Sequence, residues 1–118
     1  MVTMDMFRNE ENTQSFAAGQ KIFNEGETGE LMYVVVKGQV DVLIHGKLVE
    51  QLDAGGVIGE MALIDTGTRS ATAIAKTDCK LAPISKKRFH FLVQQTPHFA
   101  LQLMRIMADR LRRSDSRL

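Results

Sequence analysis

The spacing of glycine constrains the fold of this chain more than any other feature. All nine glycines lie between residues 19 and 67, many of them about eight or nine residues apart, with short β-favouring runs between them. Because glycine adopts positive φ at tight turns without steric cost, this pattern predicts antiparallel hairpins. We expect roughly seven or eight strands between residues 13 and 85, which close on themselves as an antiparallel jelly-roll β-roll.

Two runs show how the predicted strands are patterned. The run "QVDVLIHG" alternates, which places Val40, Val42 and Ile44 on one face and Asp41 on the other. The later run "CKLAPIS" contains Pro83, which cannot donate to a strand ladder and therefore predicts an edge position or a bulge. Both runs favour a sheet that curves and closes.

The pattern changes at Ser85, where helical periodicity begins. Ser85 is a favourable N-cap for a helix over residues 86–95, and Thr96 followed by Pro97 predicts a second helix over residues 97–113. Three arginines near the end of this helix suit the negative end of its dipole: Arg110, Arg112 and Arg113.

The apolar residues of the second predicted helix form two stripes. Phe99, Leu103 and Ile106 repeat at helical spacing and suit packing on the β-roll. A second set repeats at intervals of four, three and four residues, as in a two-helix seam: Ala100, Met104, Met107 and Leu111. The two stripes form one broad core-facing surface, or else the second pairs with a partner helix. We expect the pairing, and with it a homodimer.

The length predicts one domain over residues 1–118. Its expected parts are a short N-terminal helix within Met4–Asn12, with Met6 and Phe7 buried, then the β-roll and the two C-terminal helices. Both a stand-alone protein and one domain of a longer protein are compatible with this organisation.

The composition limits the classes of function. Fifteen Lys and Arg against fourteen Asp and Glu give a net charge of +1, so no global basic field favours nucleic acid. One cysteine excludes an intrachain disulfide framework, and no apolar segment has the features of a secretory signal or the length of a membrane span. Three histidines without a His-x-His pair do not supply a cupin-type metal site. We expect a cytoplasmic, non-enzymatic protein without membrane contact, catalytic residues, metal or prosthetic group.

The segment over residues 58–73, "IGEMALIDTGTRSATA", has the chemistry of an anion site. Gly59 allows a tight turn and close approach of a ligand, and the residues after it can form one helical turn whose first N–H groups point outward. Arg69 supplies a planar, charged guanidinium that can donate two hydrogen bonds to phosphate oxygens, and Ser70 adds a hydroxyl. Glu60 would repel an anion unless it has a separate task, such as accepting a hydrogen bond from a ribose hydroxyl. A simple Glu60–Arg69 ion pair without any ligand remains open as the alternative.

These motifs resemble the cyclic nucleotide-binding domain family. The phosphate-binding cassette of that family has the pattern Phe-Gly-Glu-x-Ala-Leu, a variable stretch, then Arg-Ser/Thr-Ala, and the segments 59–63 and 69–71 match it. Upstream, "IFNEGETGELMYVVVKGQVDV" is similar to the strand-turn-strand signature of the family. The similarity extends from about Phe16 to Leu111.

The resemblance implies a role for each cassette residue. Glu60 is expected to bind the ribose 2′-hydroxyl and Arg69 the cyclic phosphate, with Gly59 providing room. Further phosphate contacts are expected from the Ser70 hydroxyl and from backbone N–H groups near three residues: Met61, Ala62 and Ala71. Two departures bear on affinity, since Ile58 stands where the family usually has Phe, and Thr68 stands where many members have Pro.

The resemblance also bears on the base. A Thr at the position of Ser70 often accompanies guanine preference, so Ser70 favours cAMP over cGMP. The last helix of the family usually covers the base, and Ser114 and Asp115 are the expected base contacts. Asp115 accepts but does not donate when ionised, which suits an exocyclic amino group.

The sequence thus predicts a regulatory module in which cyclic nucleotide binding repositions the C-terminal helices and an unknown downstream protein responds. The alternative is a β-roll oligomerisation or protein-interaction domain that no longer binds cyclic nucleotide, against which the intact Glu60 and Arg69 argue. Relatives of the transcription-factor type continue into a helix-turn-helix module after the long helix, whereas this sequence ends at Leu118. We therefore expect no direct DNA binding.

Overall fold

The fold is that of an antiparallel β-roll followed by helices, as the sequence predicts. A computed structural model describes residues 3–65 and 67–115, with side chains described as far as residue 113. The described strands are β1 Gln14–Phe16, β2 Lys21–Phe23, β3 Leu31–Lys37, β4 Val40–Ile44, β5 Lys47–Leu52, β6 Val57–Ile58, β7 Thr72–Ala75 and β8 Cys79–Ser85. The described helices are α1 Met61–Ile64, α2 Lys86–Gln95 and α3 Pro97–Asp115.

The strands form two four-stranded antiparallel sheets. One sheet has the order β1-β8-β3-β6 and the other β2-β7-β4-β5, so strands distant in sequence are neighbours in space. The β4–β5 hairpin turns through His45 and Gly46, whose φ angles of 52° and 77° are those of a tight two-residue turn. The turn sets the first pairs of the hairpin, and an irregularity between Val42 and Leu43 then shifts the register, so that Val42 lies opposite Glu50.

The position of Pro83 differs from the expected sheet edge. β8 lies between β1 and β3, so it is an inner strand of its sheet. However, β1 pairs only with the segment of β8 from Cys79 to Leu81. Pro83 pairs with Tyr33 of β3 and lies past the end of β1, which leaves one side of the proline without a neighbouring strand.

The core has two parts, separated by the sheet that contains β3. Tyr33 and Val35 face the interior of the β-roll, whereas Met32 and Val34 face the helices. Because both faces of β3 are buried, its sequence is an uninterrupted apolar run rather than an alternating one. Apolar burial on both faces fixes the sheet to the helical layer.

The two C-terminal helices begin where the sequence indicates. The Ser85 side chain accepts a hydrogen bond from the Arg88 N–H at 3.1 Å, as an N-cap residue does. α3 then packs Phe99, Leu103 and Ile106 against the helix-facing part of the core, which confirms the first apolar stripe. No helix in the described part of the chain has the length and apolar character needed to cross a membrane.

The N-terminal segment contains a short helical element within the predicted range, a single 3-10 turn over Asp5–Phe7. It differs from the prediction in the methionine that it buries. Phe7 is buried as expected, but Met6 is exposed and Met4 occupies the core in its place. Met4 is held there by its backbone N–H, which donates to the Gly55 carbonyl at 2.7 Å.

Candidate functional site

A cavity of about 350 Å³ lies beside the cassette, a size typical of small-molecule sites. Most of its wall comes from the cassette, the β4–β5 hairpin and the last turns of α3, and Phe23 of β2 and Val57 of β6 complete it. The cassette side carries the charged groups Glu60 and Arg69. Apolar side chains make up much of the remaining lining: Phe23, Val42, Ile44, Val49, Met107 and Leu111. We call the part of the cavity beside Glu60 and Arg69 its polar end.

Gly59 shapes the polar end of the cavity. Its φ of 79° is one that L side chains rarely adopt, and it connects β6 to α1. A Cβ at this position would also overlap the Arg69 guanidinium and approach the Leu31 carbonyl oxygen to 3.1 Å. Glycine is thus required here both for the turn and for the space that Arg69 occupies.

Glu60 is buried, with 5% of its surface exposed, and it pairs with α3. Arg110 donates through Nη1 to Glu60 Oε1 and through Nη2 to the Val57 carbonyl. None of the ion pairs among residues 3–65 and 67–115 joins Glu60 to Arg69. The simple Glu60–Arg69 pair is therefore not what the fold contains.

Arg69 is equally buried, with 6% of its surface exposed, but its surroundings are different. Its Nη1 donates to the Gly59 carbonyl at 3.2 Å, and its guanidinium lies 4.1 Å from the centre of the Phe23 ring. Burial lowers the pKa of Arg69, while Tyr33, Glu27 and Glu60 act in the opposite direction. Within the described ranges Arg69 has no ion-pair partner, so most of its five N–H donors are available.

The other predicted contact residues differ in their position relative to the cavity. Met61, Ala62, Ser70 and Ala71 all line the cavity, and Ser70 is exposed. The N–H of Ala62 already donates to the Gly59 carbonyl at 3.3 Å, so it is partly engaged. The side chains of the two predicted base contacts, Ser114 and Asp115, lie outside the described residues.

Three residues of this region were not predicted as part of the site. Glu50 of β5 pairs with both Arg110 and Arg113, and Glu50 and Arg110 line the cavity. The two arginines were assigned to the helix dipole alone. A signal was present in the sequence, because Arg110 and Arg113 continue the core-facing stripe of Phe99, Leu103 and Ile106 at helical spacing. An arginine on a core-facing stripe needs a buried acceptor, and Glu50 and Glu60 are those acceptors.

The arrangement has the features of a binding site. It offers a buried cation, a buried carboxylate and an apolar wall around one cavity. No group of three or more His, Cys, Asp and Glu residues suited to a metal ion is found among the described residues.

Comparison with known proteins shows the family of this chain. The family model described as the cyclic nucleotide-binding domain matches residues 13–96, which include the strands, the cassette and α2. This chain belongs to the cyclic nucleotide-binding domain family. The resemblance inferred from the cassette is confirmed.

Individual relatives of this cyclic nucleotide-binding domain are regulators or regulated enzymes. The "cAMP-activated global transcriptional regulator CRP" of Salmonella typhimurium is 36% identical over 115 residues, which cover 92% of this chain and 55% of that protein. The "cGMP-dependent protein kinase egl-4" of Caenorhabditis elegans is 36% identical over 78 residues, which cover 66% of this chain and 10% of the kinase. This chain thus spans about half the length of the first relative and a small part of the second.

The structural comparison agrees with the sequence comparison. The crystal structure of the catabolite activator protein of Thermus thermophilus superposes with a TM-score of 0.79 at 31% identity. The match covers 90% of this chain and 53% of that protein. The β-roll with C-terminal helices is therefore the fold of the cyclic nucleotide-binding domain.

Proposed function

We propose that this domain is a cyclic-nucleotide sensor that prefers cAMP and regulates a downstream protein through α3. The observation that supports binding most strongly is Arg69, a buried guanidinium that faces a cavity without an ion-pair partner in the described part of the chain. A buried cation is costly unless an anion completes its site. A cyclic phosphate supplies that anion, and its two exocyclic oxygens can accept a bidentate pair of hydrogen bonds from the arginine guanidinium.

The other cassette residues take complementary roles. Glu60 accepts from the ribose 2′-hydroxyl while keeping its bond from Arg110, because a carboxylate has about four lone-pair sites. The Ser70 hydroxyl and the backbone N–H groups of Met61 and Ala71 add contacts to the phosphate. The base then lies against the apolar side chains of the cavity lining. Base reading by Ser114 and Asp115 remains a prediction.

The preference for cAMP has two supports. The Salmonella relative, which matches 92% of this chain, is described as cAMP-activated, although the nematode kinase is cGMP-dependent. Ser70 stands where a Thr often accompanies guanine preference. We therefore rank cAMP first, with cGMP as the competing ligand.

Coupling to α3 follows from the composition of the cavity wall. Met107, Arg110 and Leu111 of α3 line the same cavity as the cassette, so a bound ligand touches both. A ligand shifts the position of α3 only if it binds one arrangement more tightly than the other. Amide hydrogen exchange of residues 97–113 is expected to slow on saturation with cAMP. Unchanged exchange at saturation would refute the coupling while leaving the binding proposal in place.

Thermal unfolding with cAMP, cGMP and AMP tests the proposed ligand. cAMP at 100 times its dissociation constant stabilises by about 2.7 kcal/mol, which raises the midpoint by roughly 10 °C. We expect the largest shift with cAMP, none with AMP at the same concentration, and loss of the shift in Arg69→Gln. Arg105→Gln is the matched control, because Arg105 is an exposed arginine of α3 that does not line the cavity.

The same experiment decides between the two candidate functions. No shift with either cyclic nucleotide at millimolar concentration would favour the interaction domain that has lost its ligand.

We also propose that residues 1–118 act as a single cytoplasmic, non-enzymatic domain that dimerises through α3. The near-neutral charge of +1 supports the absence of direct DNA contact by this domain.

A further inference from the structure

One carboxylate at the junction of β5 and α3 holds two arginines. Glu50 Oε1 lies 3.1 Å from Arg110 Nε, and Glu50 Oε2 lies 2.6 Å from Arg113 Nη2. The Glu50 side chain is only 11% exposed, so it is poorly hydrated and depends on these two partners. Each oxygen of the carboxylate thus serves a different arginine of α3.

Arg110 connects this carboxylate to the cassette. Its Nε faces Glu50, its Nη1 donates to Glu60, and its Nη2 donates to the Val57 carbonyl. The Nε contact is ionic, because this buried atom makes no hydrogen bond of good geometry with any described residue. A planar guanidinium with three of its nitrogens engaged has its orientation fixed. Glu50 therefore fixes one side of the group whose other side holds Glu60.

We propose that Glu50 is a positioning residue for nucleotide binding, acting through Arg110 on Glu60. This inference rests on the proposed function, in which Glu60 accepts from the ribose 2′-hydroxyl. Without Glu50, the Arg110 guanidinium loses one of its three anchors and Arg113 loses its acceptor on β5. Glu60 is then free to change rotamer, and the ribose contact weakens.

The charge of Glu50 also acts directly on ligand affinity, with a sign opposite to that of the positioning effect. This difference in sign makes the proposal testable. A negative charge beside an anionic ligand repels it, so removal of that charge alone would tighten binding. Positioning predicts weaker binding for Glu50→Gln, whereas simple through-space repulsion predicts tighter binding. General loosening of α3 predicts weaker binding of every ligand by the same factor.

The test compares cAMP with 2′-deoxy-cAMP, which lacks the hydroxyl that Glu60 is proposed to bind. In the wild type we expect cAMP to bind about tenfold or more tighter, because a hydrogen bond to a charged group is lost in the analogue. In Glu50→Gln we expect cAMP to bind about tenfold weaker, equivalent to about 1.4 kcal/mol. In the same variant, the preference for cAMP over 2′-deoxy-cAMP is expected to fall to about threefold or less. The reason is that Glu50 and the 2′-hydroxyl are coupled through Arg110 and Glu60, so their effects on affinity are not additive.

Two further variants separate charge from geometry. Glu50→Asp keeps the charge but shortens the side chain, so it is expected to lose most of the preference for the 2′-hydroxyl as well. Asp109→Asn is the matched control, because Asp109 also pairs with Arg113, at 3.2 Å, but lies outside the cavity lining and forms no ion pair with Arg110 within the described residues. Its affinities are expected to stay within about twofold of the wild type.

A ligand-free measurement keeps the proposal independent of the ligand assignment. Arg110 Nε is buried beside Glu50, so its N–H signal in a nitrogen-15 spectrum is expected to exchange slowly with water in the wild type. Faster exchange is expected in Glu50→Gln, because the neutral side chain no longer holds the guanidinium in this buried position. Equal exchange in the two proteins, or equal weakening of cAMP and 2′-deoxy-cAMP, would overturn the inference. Wild type that binds neither nucleotide would refute the proposed function and the ribose role together, while the exchange result would still decide whether Glu50 holds Arg110.

Discussion

At the scale of the residue, the cassette contains two buried charges with different surroundings. Glu60 is paired within the chain, because Arg110 reaches it from α3. Arg69 is held by one carbonyl and one aromatic ring, and among the described residues it has no carboxylate partner. This difference is the physical basis for expecting an anionic ligand at Arg69 and a hydroxyl at Glu60.

Gly59 gives a prediction at the same scale. Gly59→Ala is expected to destabilise the domain by about 2 kcal/mol or more, because a Cβ there is strained at positive φ and displaces the Arg69 guanidinium. Gly46→Ala is the matched control, since its φ of 77° is similar but nothing lies within 4 Å of the added Cβ. It should cost about 1–2 kcal/mol for the backbone alone.

Urea unfolding of the two glycine variants measures the difference. Equal losses of unfolding free energy would show that Arg69 does not occupy the space beside Gly59. A larger loss in Gly59→Ala, together with weaker cAMP binding, supports the placement of Arg69.

The cassette residues could be predicted from sequence because they are local. Gly59, Glu60 and Arg69 lie within one segment of eleven residues, and their types are compatible with anion and hydroxyl recognition, which the family resemblance then favours over a simple ion pair. The pairing of Glu50 with Arg110 and Arg113 joins residues about sixty positions apart. No local pattern determines such a pairing, because it depends on how α3 lies across β5.

At the scale of the element, α3 is attached to the β-roll by its core-facing stripe. Phe99 is fully buried and makes edge-to-face contacts with Phe7 and Phe89. Phe99→Ala is expected to cost about 3–5 kcal/mol, because it leaves a cavity at the junction of the sheet and the helices. Phe91→Ala is the control on α2, since Phe91 is 61% exposed and should cost about 0.5 kcal/mol or less.

Denaturant unfolding of both phenylalanine variants is the measurement. A cost near 1 kcal/mol for Phe99→Ala would show that α3 is only loosely attached and would remove the basis for its role as a cavity wall. If Phe91→Ala keeps nearly the unfolding free energy of the wild type, the loss in Phe99→Ala is due to the burial of that ring rather than to the removal of any phenylalanine.

Elements with local signals were predicted well, and those set by tertiary packing were not. Turn glycines and caps mark the hairpins and the helix starts, as Gly46 and Ser85 show. The N-terminal segment has no such signal, and the choice of Met4 over Met6 for the core depends on a hydrogen bond to the distant Gly55. The position of Pro83 within an inner strand likewise depends on where β1 ends.

At the scale of the whole molecule, α3 presents two faces that differ in burial. One face, with Phe99, Leu103 and Ile106, packs on the β-roll. On the predicted dimer seam, Met104 and Leu111 are 59% and 64% exposed, whereas Met107 packs partly against the core. Met107 and Leu111 also line the cavity. The described fold therefore leaves part of the seam uncovered, which supports dimerisation through α3 as a proposal.

Sedimentation of a seam variant tests the dimer. The double variant Met104→Glu with Leu111→Glu is expected to be monomeric at concentrations where the wild type is dimeric, because it places like charges across the seam. Phe91→Glu removes an equally exposed apolar side chain from α2 and should leave the dimer intact. A wild type that sediments as a monomer at high concentration, with and without cAMP, would contradict the dimer.

The central claim is that the buried Arg69 completes its site with the phosphate of a cyclic nucleotide. Calorimetric titration of the wild type and of Arg69→Gln with cAMP tests it most directly. We predict one binding event per chain for the wild type and at least a tenfold loss of affinity in Arg69→Gln, since a charge-assisted hydrogen bond contributes about 1.5–3 kcal/mol. Equal binding by the two proteins, or no binding by the wild type at millimolar cAMP, would contradict the claim.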